Sequence, residues 1–207
     1  MKVIEQEIHS LKNSISEMWA LVHQQLYNAG EAMLTGDKEL AYKVISRERR
    51  VNAFELKIDS DCEDIIALYA PVAIDLRFVL AMYKINTNLE RLGDFAESIA
   101  RFAGNLPEGE PIDPQLVKET RVEEMLSELL SMISLTKEAF EKESSEIASR
   151  IFLKDNLIDE INHNSTAIIA KYIEEHKGSA LAGLYMAGVF RRSLYEYSGR
   201  THFLSGR

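Results

Sequence analysis

The chain has 207 residues, with 24 Lys and Arg against 33 Asp and Glu, giving a formal net charge of -9, and it carries a single cysteine, Cys62. That length buries a core without disulfides or structural metals, and the negative balance disfavours a nucleic-acid phosphate backbone while favouring a cation. An internal disulfide is excluded, no apolar signal-peptide core follows Met1, and no run reaches the roughly 18 apolar residues of a membrane span, so the expectation is a soluble, cytoplasmic protein that meets a membrane only through partners.

The first predicted helix runs from about Glu5 to Leu34, with Ile8, Leu11, Ile15, Met18, Val22 and Leu26 on one side and Trp19 widening that stripe. Thr35, Gly36 and Asp37 break the period, and Asp37 is placed to cap a second helix from Lys38 to about Tyr69, whose stripe is Leu40, Val44, Val51, Phe54, Ile58 and Ile65. Pro71 closes it, because the residue before a proline avoids the helical region. The third helix, ending near Ala103 to Gly104, carries Phe78, Ala81, Ile85, Leu89, Leu92, Ala96, Ile99 and Ala103 at steps of three and four.

The segment GNLPEGEPIDP then holds three of the four prolines and is the only convincing boundary in the sequence. Beyond it the pattern restarts, with helices expected from about Pro114 to Lys142, Ser144 to Glu175, and Ser179 to near the C-terminus. No segment alternates strictly with β-branched residues. The expected class is all-α, two pseudo-symmetric three-helix bundles over residues 1–105 and 106–207. A shift of 107 sets Glu48, Asn52, Glu55 and Asp59 against Asp155, Asp159, Asn162 and Thr166. A shift of 106 sets Glu90, Gly93 and Asp94 against Glu196, Gly199 and Arg200, as a decayed duplication would.

Chemistry concentrates on two acidic faces. Glu48, Asn52, Glu55 and Asp59 share one side of the second helix, and Glu90, Asp94 and Glu97 share one side of the third. Carboxylates at i and i+4 repel by a few tenths of a kcal/mol per pair, so if the two faces meet, a cation is the economical occupant. The alternative is two solvated faces offset by Arg49, Arg50, Arg91 and Arg101. Glu160-Ile-Asn-His163 matches one Glu-x-x-His step of a di-iron bundle, but no other histidine has a Glu three residues before it. Cys62 lies beside Asp61 and Glu63, which oppose a reactive thiolate, and neither a Gly-rich phosphate loop nor a nucleophile elbow is present. Nothing here reads as an enzyme.

The stretch RRVNAFELKIDSDCEDIIALYAPVAIDLRFVLAMYKINTNLERLGDFAESIA resembles the PhoU family of phosphate-transport accessory proteins, in which N-x-x-E-x-x-I-D leads into P-x-A-x-D-L-R and then L-E-R-x-G-D. In the second half KDNLIDEINHNSTAIIAKYI is similar to the family's repeated D-x-x-I-D helix. The resemblance implies paired three-helix bundles whose E-x-x-x-D motifs hold iron or zinc clusters in some members. It also implies a role in restraining phosphate uptake and the phosphate-starvation response, through the ATPase of a phosphate ABC transporter and a phosphate-sensing histidine kinase.

By position, the implied metal motif falls on Glu48 with Asn52, Glu55 with Asp59, and Glu90 with Asp94, then on Asp155 with Asp159 and on Glu196 in the second half. Arg200 stands where the last motif has its acid, so weaker binding is expected there. Carboxylates alone suit magnesium and manganese as well as iron or zinc. Helices of this length leave edges that suit a homodimer. Two rival readings are a plain helical scaffold with solvated acidic faces and a di-iron carboxylate oxidase.

Overall fold

A computed structural model describes residues 3–107, 112–142, 144–176 and 180–198, without the side chains of 145, 148, 149, 151–153, 155 and 194–198. The described residues form seven helices and no strand: α1 (Val3–Thr35), α2 (Lys38–Tyr69), α3 (Ala73–Asn105), α4 (Pro114–Thr120), α5 (Val122–Glu141), α6 (Ser145–Glu175) and α7 (Ala180–Ser198). The α1–α2 turn follows its residues. Gly36 takes the left-handed conformation at φ 72°, and the Asp37 carboxylate accepts a hydrogen bond from the Leu40 backbone N–H at 2.9 Å.

Most residues of the predicted stripes are buried, while Ile8, Leu40, Phe54, Phe78 and Ala81 are half-buried against the core. Leu11, Ile15, Met18, Trp19 and Val22 of α1, Val44, Val51, Ile58 and Ile65 of α2, and Ile85, Leu89, Leu92, Ala96 and Ile99 of α3 are all enclosed. α1, α2 and α3 pack mutually, α6 packs on both α5 and α7, and the halves meet where α1 crosses α5 and α3 crosses α7. One continuous apolar core runs through both. Aromatic contacts fasten the crossings: Trp19 stacks on Phe140 with centroids 5.8 Å apart while its indole N–H donates to the Ile133 carbonyl at 3.2 Å, and Phe102 stacks on Tyr185 at 5.1 Å.

Burial recurs at one constant spacing. Ile15 and Val122, Met18 and Met125, Val22 and Leu129, Val51 and Ile158, Cys62 and Ile169, and Ile65 and Tyr172 are buried pairs 107 positions apart. So are Val79 and Met186, Met82 and Val189, and Asn86 and Ser193 on α3 and α7, and the starts of α2 and α6 and of α3 and α7 are offset by the same amount. A shift of 106 sets buried Val79, Met82 and Asn86 against half-buried Tyr185 and exposed Gly188 and Arg192. Among the described residues the helix-packing register is therefore 107, a sequence offset at which Glu196 lines up with Leu89 and Arg200 with Gly93.

The helix expected from Pro114 to Lys142 is broken. Arg121 adopts φ 55°, ending α4 and starting α5, and its guanidinium holds Glu124 at 2.7 and 2.9 Å and Glu160 of α6 at 3.0 Å. No glycine or asparagine announces this left-handed residue, and its charge partners hold the bend.

At the other hairpin, α2 ends on Ala70 at φ 45° and ψ 55°, with its N–H bonded to the Ile66 carbonyl at 3.2 Å. That is a left-handed helix cap filled by a residue with a Cβ. Ala70→Gly is expected to stabilise the protein by about 0.5–1 kcal/mol, since relief of the left-handed Cβ clash outweighs the extra backbone entropy. Thermal unfolding then rises by roughly 2–3 °C; an unchanged or lower midpoint contradicts it.

Candidate carboxylate site between α2 and α3

The site begins with a missing side chain. A Cβ built on Gly93 lies 2.8 Å from Val51 Cγ1 and 3.5 Å from both carboxylate oxygens of Glu48, so α2 presses against α3 at a point where only glycine fits without displacing Val51. Glu48 is thereby carried into the contact and is 5% exposed. Both its oxygens are buried without a hydrogen-bond partner. An ionised carboxylate in that position is costly, and the cost grows with its surroundings. Burial first, then Asp94, Glu97 and Glu90 on α3, push the Glu48 carboxyl up to about 7.

The two acidic faces thus turn toward one another, in unequal ways. Glu90 and Glu97 are half-buried, Asp94 is exposed, and Glu97 holds Arg101 at 2.7 Å one turn along its own helix. Asn52, one turn beyond Glu48, is exposed. Glu55 and Asp59 are half-buried and meet α3 through Asn86, whose side-chain N–H group donates to the Glu55 carbonyl at 2.9 Å and to Asp59 Oδ1 at 2.7 Å. Burial and then the Asp59 charge hold the Glu55 carboxyl above its usual range. Asn86 is fully buried and its own Oδ1 has no partner.

Sequence periodicity missed Asn86 as a site residue. The available signal was a polar side chain in the register of the apolar stripe, between Ile85 and Leu89.

The acidic face is only partly repeated in the second half, where Asp155 and Asp159 stand at the positions of Glu48 and Asn52. Asn162 and Thr166 replace Glu55 and Asp59, and buried Asn162 accepts a hydrogen bond from the Ser193 hydroxyl at 2.9 Å, in the register where Asn86 serves α2. Asp159 is exposed on α6, while the side chains of Asp155 and Glu196, and all of Arg200, lie outside the described residues. Glu160 and His163 are both exposed, with Glu160 engaged by Arg121, so this Glu-x-x-His step does not face a bundle interior. Cys62 is buried and its thiol is pushed up to about 12, first by burial and then by Asp59, which makes it inert as a nucleophile.

The donor set suits a hard or borderline cation: oxygen ligands, one of them an orphaned buried carboxylate, in a field of three more. Among the described residues no three His, Cys, Asp or Glu side chains already converge into a coordination shell. The groups share a field without forming a closed cage: Glu48 is buried, Glu90 and Glu97 are half-buried, and Asp94 is exposed.

In metal-free protein Glu48 makes stability fall with pH. Its folded value of about 7 lies above the ordinary glutamate value of 4.5, so the native state binds more protons across that window, and stability drops by up to about 3 kcal/mol as pH rises through it. Glu48→Gln removes the titration. With chelator present, the variant is expected to melt above the parent at pH 8 and to lose that advantage near pH 4.5; equal pH slopes for the two proteins contradict the assignment.

The chain is similar to known proteins over most of its length. Residues 15–103 match the model of the PhoU domain. A phosphate-specific transport system accessory protein PhoU homolog of Aquifex aeolicus is 32% identical over 187 residues, covering 89% of this chain and 82% of that protein. The phosphate-specific transport system accessory protein PhoU of Escherichia coli is 31% identical over 189 residues, 90% of this chain and 77% of that one. Among solved structures, the phosphate transport system regulatory protein PhoU of Streptococcus pneumoniae superposes with a TM-score of 0.78 at 27% identity, covering 98% of this chain and 97% of its own. PhoU from Pseudomonas aeruginosa gives a TM-score of 0.84 at 23% identity, covering 97% and 95%, a likeness of fold. With so long a match at that identity, and with the motifs that frame Glu48 and Gly93 in place, the chain belongs to the PhoU family.

Proposed function

We propose that this chain is a non-enzymatic regulator that restrains phosphate uptake and the phosphate-starvation response. It acts in the cytoplasm, as a homodimer, by binding the ATPase subunit of a phosphate ABC transporter and a phosphate-sensing histidine kinase. Supporting this reading is the kinship over most of the chain with proteins named as accessory to the phosphate-specific transport system. The absence, among the described residues, of any helix long and apolar enough to cross a membrane accords with a protein that reaches the transporter through a subunit. Control of this kind needs only differential affinity for two partner states.

The observation that carries a metal role is Glu48. Its two orphaned oxygens, facing Glu90, Asp94 and Glu97, call for positive charge, and a bound cation would supply it by neutralising the cluster and tying α2 to α3. Glu48, Glu90 and Asp94 are the residues proposed to hold it, with Asn52, Glu55 and Asp59 extending the ligand set along α2. Iron, zinc, magnesium and manganese all suit such oxygens. The second half is proposed to bind more weakly: Asp155 and Asp159 are its corresponding candidates, Glu196 falls in the register of Leu89 rather than Glu90, and Asn162 and Thr166 have replaced two acids.

Glu48→Gln combined with Asp94→Asn tests both parts. In protein purified without chelator, elemental analysis is expected to find metal in the parent and at least a tenfold lower content in the variant. In cells grown in rich phosphate, the variant is expected to release a phosphate-starvation reporter toward the level seen on deletion of the gene. Unchanged metal content and unchanged repression together would leave a plain helical scaffold as the better reading.

A further inference from the structure

The α2–α3 hairpin ends in an apolar tip. Leu68 is 71% exposed, Val72 and Ile74 are each 74% exposed, and Ile66 and Tyr69 stand beside them at 38% and 36%. Single exposed hydrophobics are ordinary, but five within nine positions, at a bend, form a patch of the kind that marks an interaction site. The backbone holds the patch in place. Ala70 and Ala73 both lie at positive φ, 45° and 49°, and Pro71 between them fixes its own φ. Two non-glycine residues kept in a left-handed conformation around a proline are strain of the sort found where a surface serves recognition, and they present Leu68, Val72 and Ile74 on a stiff bend.

Charge narrows the occupant. Glu63, Asp64 and Asp75 are exposed around the tip, and no Lys or Arg occurs between Lys57 and Arg77. An anionic lipid surface is repelled by that collar, since membrane-surface segments rely on Lys and Arg. A second copy of this chain meeting tip to tip sets the collar against itself, because a twofold contact pairs like with like. What fits is a protein surface offering an apolar pocket rimmed by Lys and Arg, which satisfies the patch and the collar together.

We infer that the α2–α3 tip is the docking surface for a basic-rimmed protein partner. The inference rests on the reading that the chain binds the transporter ATPase, and it names the face that makes the contact.

The probe is the purified ATPase subunit from the same organism, titrated with the full chain. Leu68→Glu combined with Ile74→Glu changes only exposed residues, so helix content and melting temperature are expected to hold while affinity falls at least tenfold. Asp64→Lys combined with Asp75→Lys is expected to weaken binding and to flatten its salt dependence. Parent and Leu68→Glu/Ile74→Glu proteins that bind the ATPase equally well overturn the inference and leave the docking reading standing. A parent that does not bind at micromolar concentrations overturns the reading, and the inference with it. Tip-dependent binding to phosphatidylglycerol vesicles, or a dimer that dissociates when Leu68 and Ile74 are changed, assigns the patch to another occupant and overturns it as well.

Discussion

Because residue 93 carries no Cβ, α2 lies close enough to α3 for Val51 to pack against its backbone, and the same approach draws Glu48 out of water. Every distinctive property of the first half follows from that contact. A carboxylate is buried with no hydrogen-bond partner, three further carboxylates on α3 raise the cost of ionising it, and one turn pair away Asn86 ties Glu55 and Asp59 to the same helix. Apolar burial across the bundle provides the surplus that tolerates an unsatisfied acid. Such a charge is held in reserve for a proton or a cation, and the neighbouring acids on α3 favour either.

Much of this was legible in residue order. The apolar stripes at steps of three and four located the long helices, and Asp37, Pro71 and the proline-rich linker marked their ends within a residue or two. Periodicity also put the acids of each helix on one face. It left the depth of Glu48 unread, because periodicity gives direction around a helix axis while burial depends on the distance between axes, set here by Gly93. Asn86 escaped for a similar reason: in a stripe of apolar residues a lone amide reads as an interruption until its partners on α2 are known. Arg121 escaped because its left-handed conformation is held by Glu124 and Glu160, one of them 39 positions away.

The repeat shows how far sequence spacing carries. Acidic residues alone suggested two different offsets, whereas burial settles on one, since core positions are constrained by packing and surface acids are free to drift. Read at that single offset, the second half keeps the core and part of the charge: Asp155 and Asp159 stand for Glu48 and Asn52, Asn162 and Thr166 stand for Glu55 and Asp59, and Ser193 stands for Asn86 and donates to Asn162. The two halves share a burial register, but among the described residues the buried, unpartnered carboxylate lies at the contact between α2 and α3.

That demand is most directly measured at Glu48 itself. A carbon-detected NMR titration of its side-chain carboxyl in metal-free protein is expected to give a midpoint near 7, well above that of an ordinary glutamate. A midpoint near 4.5, unmoved when Asp94 is changed to asparagine, would mean that Glu48 is solvated and that the α2–α3 contact creates no unmet need for positive charge.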